Sequence, residues 1–174
     1  YHTEEQKATM VQNLLTDIAN KGGSIRKGQG EDTLAIGFLG VNVILPALTD
    51  AGCVDTTYDL LLQDEMPSWL YEVKNGATTI WERWNSYSKD NSFGDSSMNS
   101  FNHYSYGACV EWMYQYMAGI VTDQGEGVGF KHIILQPTID ASGRIDFVNG
   151  SYNSYYGNIV SNWVATDGSL SNYE

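Results

Sequence analysis

The feature that most restricts what this chain can fold into is a change of hydrophobic period across Thr122-Asp-Gln-Gly-Glu-Gly-Val-Gly129. Before that stretch apolar residues recur at three- and four-residue spacing; after it they alternate. The first period lines one face of a helix and the second one face of a strand. The pattern predicts a mainly helical part over residues 1–121, a linker over 122–130 and a β part over 131–174. The alternating glycines of the linker neither follow a strand nor open a helix, so they carry no dinucleotide-binding signal.

Local signals place the elements. Thr3 and Gln6 can form a capping box, and Met10, Val11, Leu14, Leu15 and Ile18 then share a helical face that Gly22-Gly23 should end. Residues 24–32 read as a loop, without the Lys-Ser/Thr ending of a phosphate loop. Leu34 to Leu48 is apolar nearly all round, as in a helix buried on several sides, with Pro46 expected to bend or end it. Asp55 can cap a helix over 56–65, and Ser68 a short one with Trp69 and Val73 one turn apart. Residues 78–84 read as extended chain and 85–97 as a polar loop. From His103 to Gly119 the spacing predicts a helix burying Tyr106, Val110, Met113, Tyr114 and Met117, with His103 in its first turn. Strands are expected at 131–136, 144–148 and 158–165, with Asn149-Gly150 as a hairpin turn.

Charge and composition exclude several functions. A net charge of −12 and a pI near 4.4 argue against a nucleic-acid backbone or an anionic membrane surface as partner. They suit a soluble protein that handles neutral ligands. No apolar run approaches the ~18 residues of a membrane span. Cys53 and Cys109 read as reduced, buried thiols without metal-type spacing. The three histidines are scattered, with no His-x-x-x-His, so neither a metal nor another cofactor is expected. There is no Gly-x-Ser-x-Gly elbow for serine hydrolase chemistry.

One stretch points to chemistry. Gly76-Ala-Thr-Thr-Ile-Trp-Glu-Arg-Trp84 sets the carboxylate of Glu82 between two indoles and beside a guanidinium. Aromatic walls with a few polar groups describe a sugar site, because the apolar face of a sugar ring lies on an aromatic ring while its hydroxyls seek hydrogen bonds. The residues fit a second description equally: a Glu82–Arg83 pair inside a tryptophan-rich core.

Together with Tyr58-Asp-Leu-Leu-Leu-Gln63, Pro67-Ser-Trp69 and Ser97-Met-Asn-Ser-Phe-Asn-His-Tyr104, this motif resembles the bacterial α-L-rhamnosidases of glycoside hydrolase family 78. Gly107, Glu111-Trp112, Ala118-Gly-Ile120, Gly129-Phe-Lys-His-Ile133 and Tyr156-Gly157 extend the resemblance along most of the chain. It implies the late part of an (α/α)6 six-hairpin barrel over 1–121, then the beginning of an antiparallel β-sandwich over 131–174. It also implies an inverting hydrolase that releases terminal α-L-rhamnose from glycosides or polysaccharides. Glu82 matches the family's general base and His103 a histidine on the bound sugar; Asn102, Trp81 and Trp84 are further candidates for substrate binding, the tryptophans as walls of the site with no family role carried over. The family's general acid lies in an upstream acidic motif that neither Glu31-Asp32 nor Asp64-Glu65 resembles. The chain is therefore expected to be part of an enzyme, to need the rest of its parent chain as partner and to be inactive alone. Two other readings stand beside this one: a non-catalytic carbohydrate-binding or scaffold piece, and a different glycosidase on the same barrel. Ile36, where the family carries threonine, and Tyr155, where it often carries proline, depart from the pattern.

Overall fold

Thr3 and Gln6 close their capping box: Thr3 Oγ1 accepts from the Gln6 N–H at 3.2 Å, and Gln6 Oε1 accepts from the Thr3 N–H at 2.9 Å. Helix α1 (Glu4–Ala19) starts there and ends at Asn20, which turns left-handed ahead of Gly22-Gly23. The computed structural model describes residues 2–123, 125 and 127–174, which fall into two compact units, Tyr1–Ala108 and Cys109–Glu174. Gln124 and Glu126 of the expected linker lie outside the described residues.

In the first unit the loop after α1 is held from inside. The buried Asn20 amide donates to the carbonyls of Arg26, Gln29 and Gly30, and its Oδ1 accepts from the N–H groups of Ile25 and Arg26. Arg26 in turn donates to the carbonyls of Asp17 and Ile18, the unsatisfied acceptors of the last turn of α1, and to Thr33. A cation there also meets the negative end of the helix dipole. Three shorter helices follow: α2 (Val41–Asp50), α3 (Val54–Leu62) and α4 (Trp69–Lys74). Their apolar faces bring Val41, Leu45, Leu48, Tyr58, Leu60 and Trp69 into the core.

Three helix expectations need correction. Residues 34–40 are not helical, and α2 begins only after Gly40. Glycines at 37 and 40 cost helix about 1 kcal/mol each relative to alanine, and a Gly40 N–H to Gly37 carbonyl turn takes their place. Pro46 neither bends α2 to a stop nor ends it. It removes one donor, toward Asn42, and Asn42 is exposed, so water can satisfy the freed carbonyl. Helix α3 starts one residue before Asp55, which serves in the first turn rather than as the cap.

The residues expected to form one helix over 103–119 form three pieces. A 3-10 turn at Ser105–Ala108 closes the first unit; α5 (Cys109–Trp112) and a π turn (Met113–Met117) open the second. The buried residues Tyr106, Cys109 and Trp112 recur every third position, whereas Val110 and Tyr114 are exposed at 47% and 42%. The expected 3.6-residue period fails because the backbone does not keep that period.

The second unit holds two antiparallel sheets. Strand β1 (Ile120–Thr122) pairs with β2 (Ile133–Leu135), and β3 (Phe147–Ser154), β4 (Gly157–Thr166) and β5 (Ser169–Tyr173) pair in chain order. Strand β4 shows the expected alternation: Ile159, Ser161, Trp163 and Ala165 face inward. The Trp163 indole donates to the Met117 carbonyl and Ser161 Oγ to that of Ala118. Asn149-Gly150 is not a turn but lies in the middle of β3; the hairpin bends at Tyr155-Tyr156. Glycine is needed at 150 because a Cβ there would stand 2.7 Å from the Ala118 Cβ and 3.2 Å from the Ser161 carbonyl oxygen. No helix among the described residues is long and apolar enough to cross a membrane.

Asp140 anchors the turn before β3. It is fully buried and accepts from Ser142 and from both the backbone and the guanidinium of Arg144. Burial alone would raise its pKa, but these hydrogen bonds hold it near 2 instead of 3.8. A depressed carboxylate stabilises the fold above its unfolded pKa and loses that contribution as pH falls through its folded pKa. Asp140→Asn should therefore cost about 2 kcal/mol near pH 7 and much less near pH 2. Urea melts of both chains at the two pH values check this, and an equal cost at both would contradict it.

Candidate active site

The site is built from two loops that the helices leave behind. Ser68 caps α4 by accepting from the Tyr71 N–H at 3.2 Å. At the other end of α4 the left-handed Gly76, at φ +85°, turns the chain out. Residues 79–82 then run beside residues 100–103. The Glu82 N–H donates to the Ser100 carbonyl at 2.9 Å, and the Ser100 N–H donates back to Glu82 Oε2 at 2.7 Å. Nearby the His103 N–H donates to the Ile80 carbonyl at 2.8 Å, and Thr79 Oγ1 donates to the Phe101 carbonyl. Residues 78–84 thus form no regular strand, yet the backbone of Ile80 and Glu82 is paired across this seam.

Both tryptophans beside Glu82 are anchored in packing. Trp84, 9% exposed, stacks on Tyr106 at 3.8 Å between ring centres, meets the edge of Trp69 and donates its indole N–H to the Ile36 carbonyl. Trp81, 4% exposed, lies edge-on to Phe101 and Tyr87. Glu82 between them is only partly buried. Its backbone and its carboxylate are both bonded to Ser100.

His103 and Asn102 border a hollow of about 470 Å³ together with Thr79, Ile80, Tyr104 and Gly107. The His103 ring stacks on Phe38 at 4.7 Å, and its buried Nδ1 has no hydrogen-bond partner among the described residues. The Asn102 N–H donates to Ser100 Oγ. His103 does not lie in a first helical turn as expected. It precedes the 3-10 turn, and its N–H belongs to the seam. Among the described residues no group of three or more His, Cys, Asp or Glu could hold a metal ion.

Residues 2–117 match the bacterial α-L-rhamnosidase six-hairpin glycosidase domain, and residues 119–173 match the bacterial α-L-rhamnosidase C-terminal domain. The chain belongs to the bacterial α-L-rhamnosidase family. An α-L-rhamnosidase from Formosa agariphila is 39% identical over 161 residues, covering 92% of this chain and 16% of that protein. One from Streptomyces avermitilis is 37% identical over 164 residues, covering 92% of this chain and 15% of that protein. This rhamnosidase-family chain thus spans only a small part of the length of these relatives. Among solved structures, Streptomyces avermitilis α-L-rhamnosidase complexed with L-rhamnose superposes with a TM-score of 0.72 at 39% identity, over 79% of this chain and 13% of that one. The native enzyme of Aspergillus terreus gives a TM-score of 0.78 at 26% identity, over 93% of this chain and 17% of that one.

Two polar residues at this rhamnosidase-family site escaped the sequence reading. Asn99 donates to the carbonyls of Ser86 and Phe93, tying the polar loop to the seam. Glu72 is buried at 2% exposure, whereas Val73, expected to pack with Trp69, is 60% exposed. Helix α4 is turned by one residue from that expectation: Trp69 and Glu72, three apart, share its inner face. The signal for Asn99 was its place in the Ser97–Tyr104 motif; nothing local marked Glu72 as an inward residue.

Proposed function

We propose that this chain carries the general-base half of an inverting α-L-rhamnosidase site within a longer protein. Glu82 takes a proton from water as the water attacks the anomeric carbon. An acid elsewhere in the parent chain protonates the leaving oxygen as the glycosidic bond breaks, giving free rhamnose of inverted configuration. Inverting pairs of this kind stand roughly 6.5–9.5 Å apart to leave room for the water. His103 and Asn102 contact sugar hydroxyls, and Trp81 and Trp84 act as the packed walls that hold Glu82. In this reading residues 1–121 belong to an (α/α)6 barrel and residues 131–174 begin a β-sandwich, joined by the linker over 122–130. The substrate is a rhamnose-containing glycoside or oligosaccharide.

The observation that carries the reading is the pairing of Glu82 with Ser100 beside that of His103 with Ile80. It ties a partly buried glutamate and a histidine whose buried Nδ1 has no partner among the described residues to one short length of backbone. The match to the rhamnosidase domains and the likeness to a structure complexed with L-rhamnose support the choice of sugar.

In the full-length protein Glu82→Gln should lower kcat by ~10²–10⁴-fold while sugar binding survives. Azide, which needs no deprotonation, should partly restore turnover. Near wild-type hydrolysis by Glu82→Gln would make Glu82 a structural carboxylate and contradict its assignment as the base.

His103→Ala should weaken rhamnose binding by about 1–3 kcal/mol, measured by calorimetry. A lowered melting temperature with unaltered affinity would show instead that the histidine only packs against Phe38.

A further inference from the structure

Glu72 is a buried acid of the first unit that the proposed reaction does not use. Its Oε2 accepts from the Trp81 N–H at 3.2 Å, and its buried Oε1 has no hydrogen-bond partner among the described residues. That N–H belongs to the peptide joining Ile80 to Trp81, whose carbonyl accepts from the His103 N–H at 2.8 Å. A peptide is a rigid plane. One plane is therefore gripped on its N–H side by Glu72 and on its C=O side by His103, and the next side chain but one along the chain from Ile80 is Glu82. The backbone carbonyl of Glu72 also accepts from the N–H groups of Asn75 and Ala77, so the turn leading into the motif is fastened to the same residue.

We propose that Glu72 is a positioning residue: through the Ile80–Trp81 peptide it sets the placement of His103 and Glu82 together, and gaining or losing a proton changes how firmly that peptide is held. The effect on turnover rests on the function proposed above; the effect on the peptide does not. An ionised carboxylate accepts a hydrogen bond roughly twice as strongly as a neutral acceptor, so the grip is firm when Glu72 is charged and loose when it is neutral. Burial pushes its pKa up to about 7, with the Trp81 amide opposing the shift. The titratable neighbour that feels its charge is Tyr106 of the 3-10 turn, whose hydroxyl is itself raised first by burial and then by Glu72. The two states of the grip thus exchange close to neutral pH. Because the folded pKa lies above the ordinary 4.5, the fold is most stable with Glu72 neutral and loses that advantage as pH rises through about 7. A firmer site at the expense of stability is what separates a positioning acid from a structural one.

The test uses the full-length protein labelled with ¹⁵N-tryptophan, with the Trp81 amide assigned by Trp81→Phe. In the wild type that amide should shift with a midpoint near pH 7, and kcat/KM should rise through the same pH. Glu72→Gln keeps the shape but cannot ionise. It should lose both transitions, lower kcat/KM about tenfold above pH 7 and raise the melting temperature there but not near pH 5. A Trp81 amide that stays flat across neutral pH in the wild type overturns the proposal even if the variant does not fold. Glu72→Gln with wild-type kcat/KM and pH profile overturns it as well. A Trp81 amide that titrates in a protein indifferent to Glu82→Gln leaves the grip standing and removes only the rhamnosidase chemistry assigned to Glu82.

Discussion

The hydrogen-bonded seam between residues 79–82 and 100–103 is the interaction on which the site depends. Neither segment is regular secondary structure, so nothing in a helix or sheet ladder holds it. Buried backbone groups need partners, and here they find them in each other: Glu82 with Ser100, His103 with Ile80. The side chain of Glu82 completes the seam by accepting from the Ser100 N–H. One carboxylate oxygen is thus engaged in structure. Glu82 as a residue is only partly buried.

Aromatic packing supplies the stiffness that the seam lacks. Trp84, Trp69 and Tyr106 interlock, each indole N–H reaching a backbone carbonyl, so their polar ends are not orphaned in the core. Trp81 with Phe101, Tyr87 and Phe93 forms a second cluster on the other side of Glu82. The irregular stretch at 34–40 contributes as well, through the Ile36 carbonyl and the Phe38 ring. Rings set the position of the motif's backbone, and the backbone sets the position of its polar groups.

What was legible in the sequence was local or strictly periodic. The Thr3–Gln6 box, the Ser68 cap and the alternation of β4 depend on residues within a few positions of one another, and all three form. The structure places the motif residues Glu82, Asn102 and His103 on neighbouring stretches of one seam. What escaped has non-local causes. Gly150 is glycine because Ala118 approaches it, not because the chain turns there. Glu72 faces inward because Trp81, nine residues on, offers it an unpaired N–H. His103 lies ahead of the 3-10 turn with its amide bonded to Ile80, a partner 23 residues away in the chain.

The central claim is that Glu82 and His103 are held as one unit by the seam. Amide hydrogen exchange at Ser100 and His103 tests it most directly, since both N–H groups lie in an irregular, partly exposed stretch that would otherwise exchange freely. The account predicts that the two amides are protected, exchange together, and that Glu82→Ala releases the Ser100 amide and raises the His103 rate with it. Exchange of both at the rate of an unstructured loop, or release of Ser100 with His103 unaffected, would contradict it.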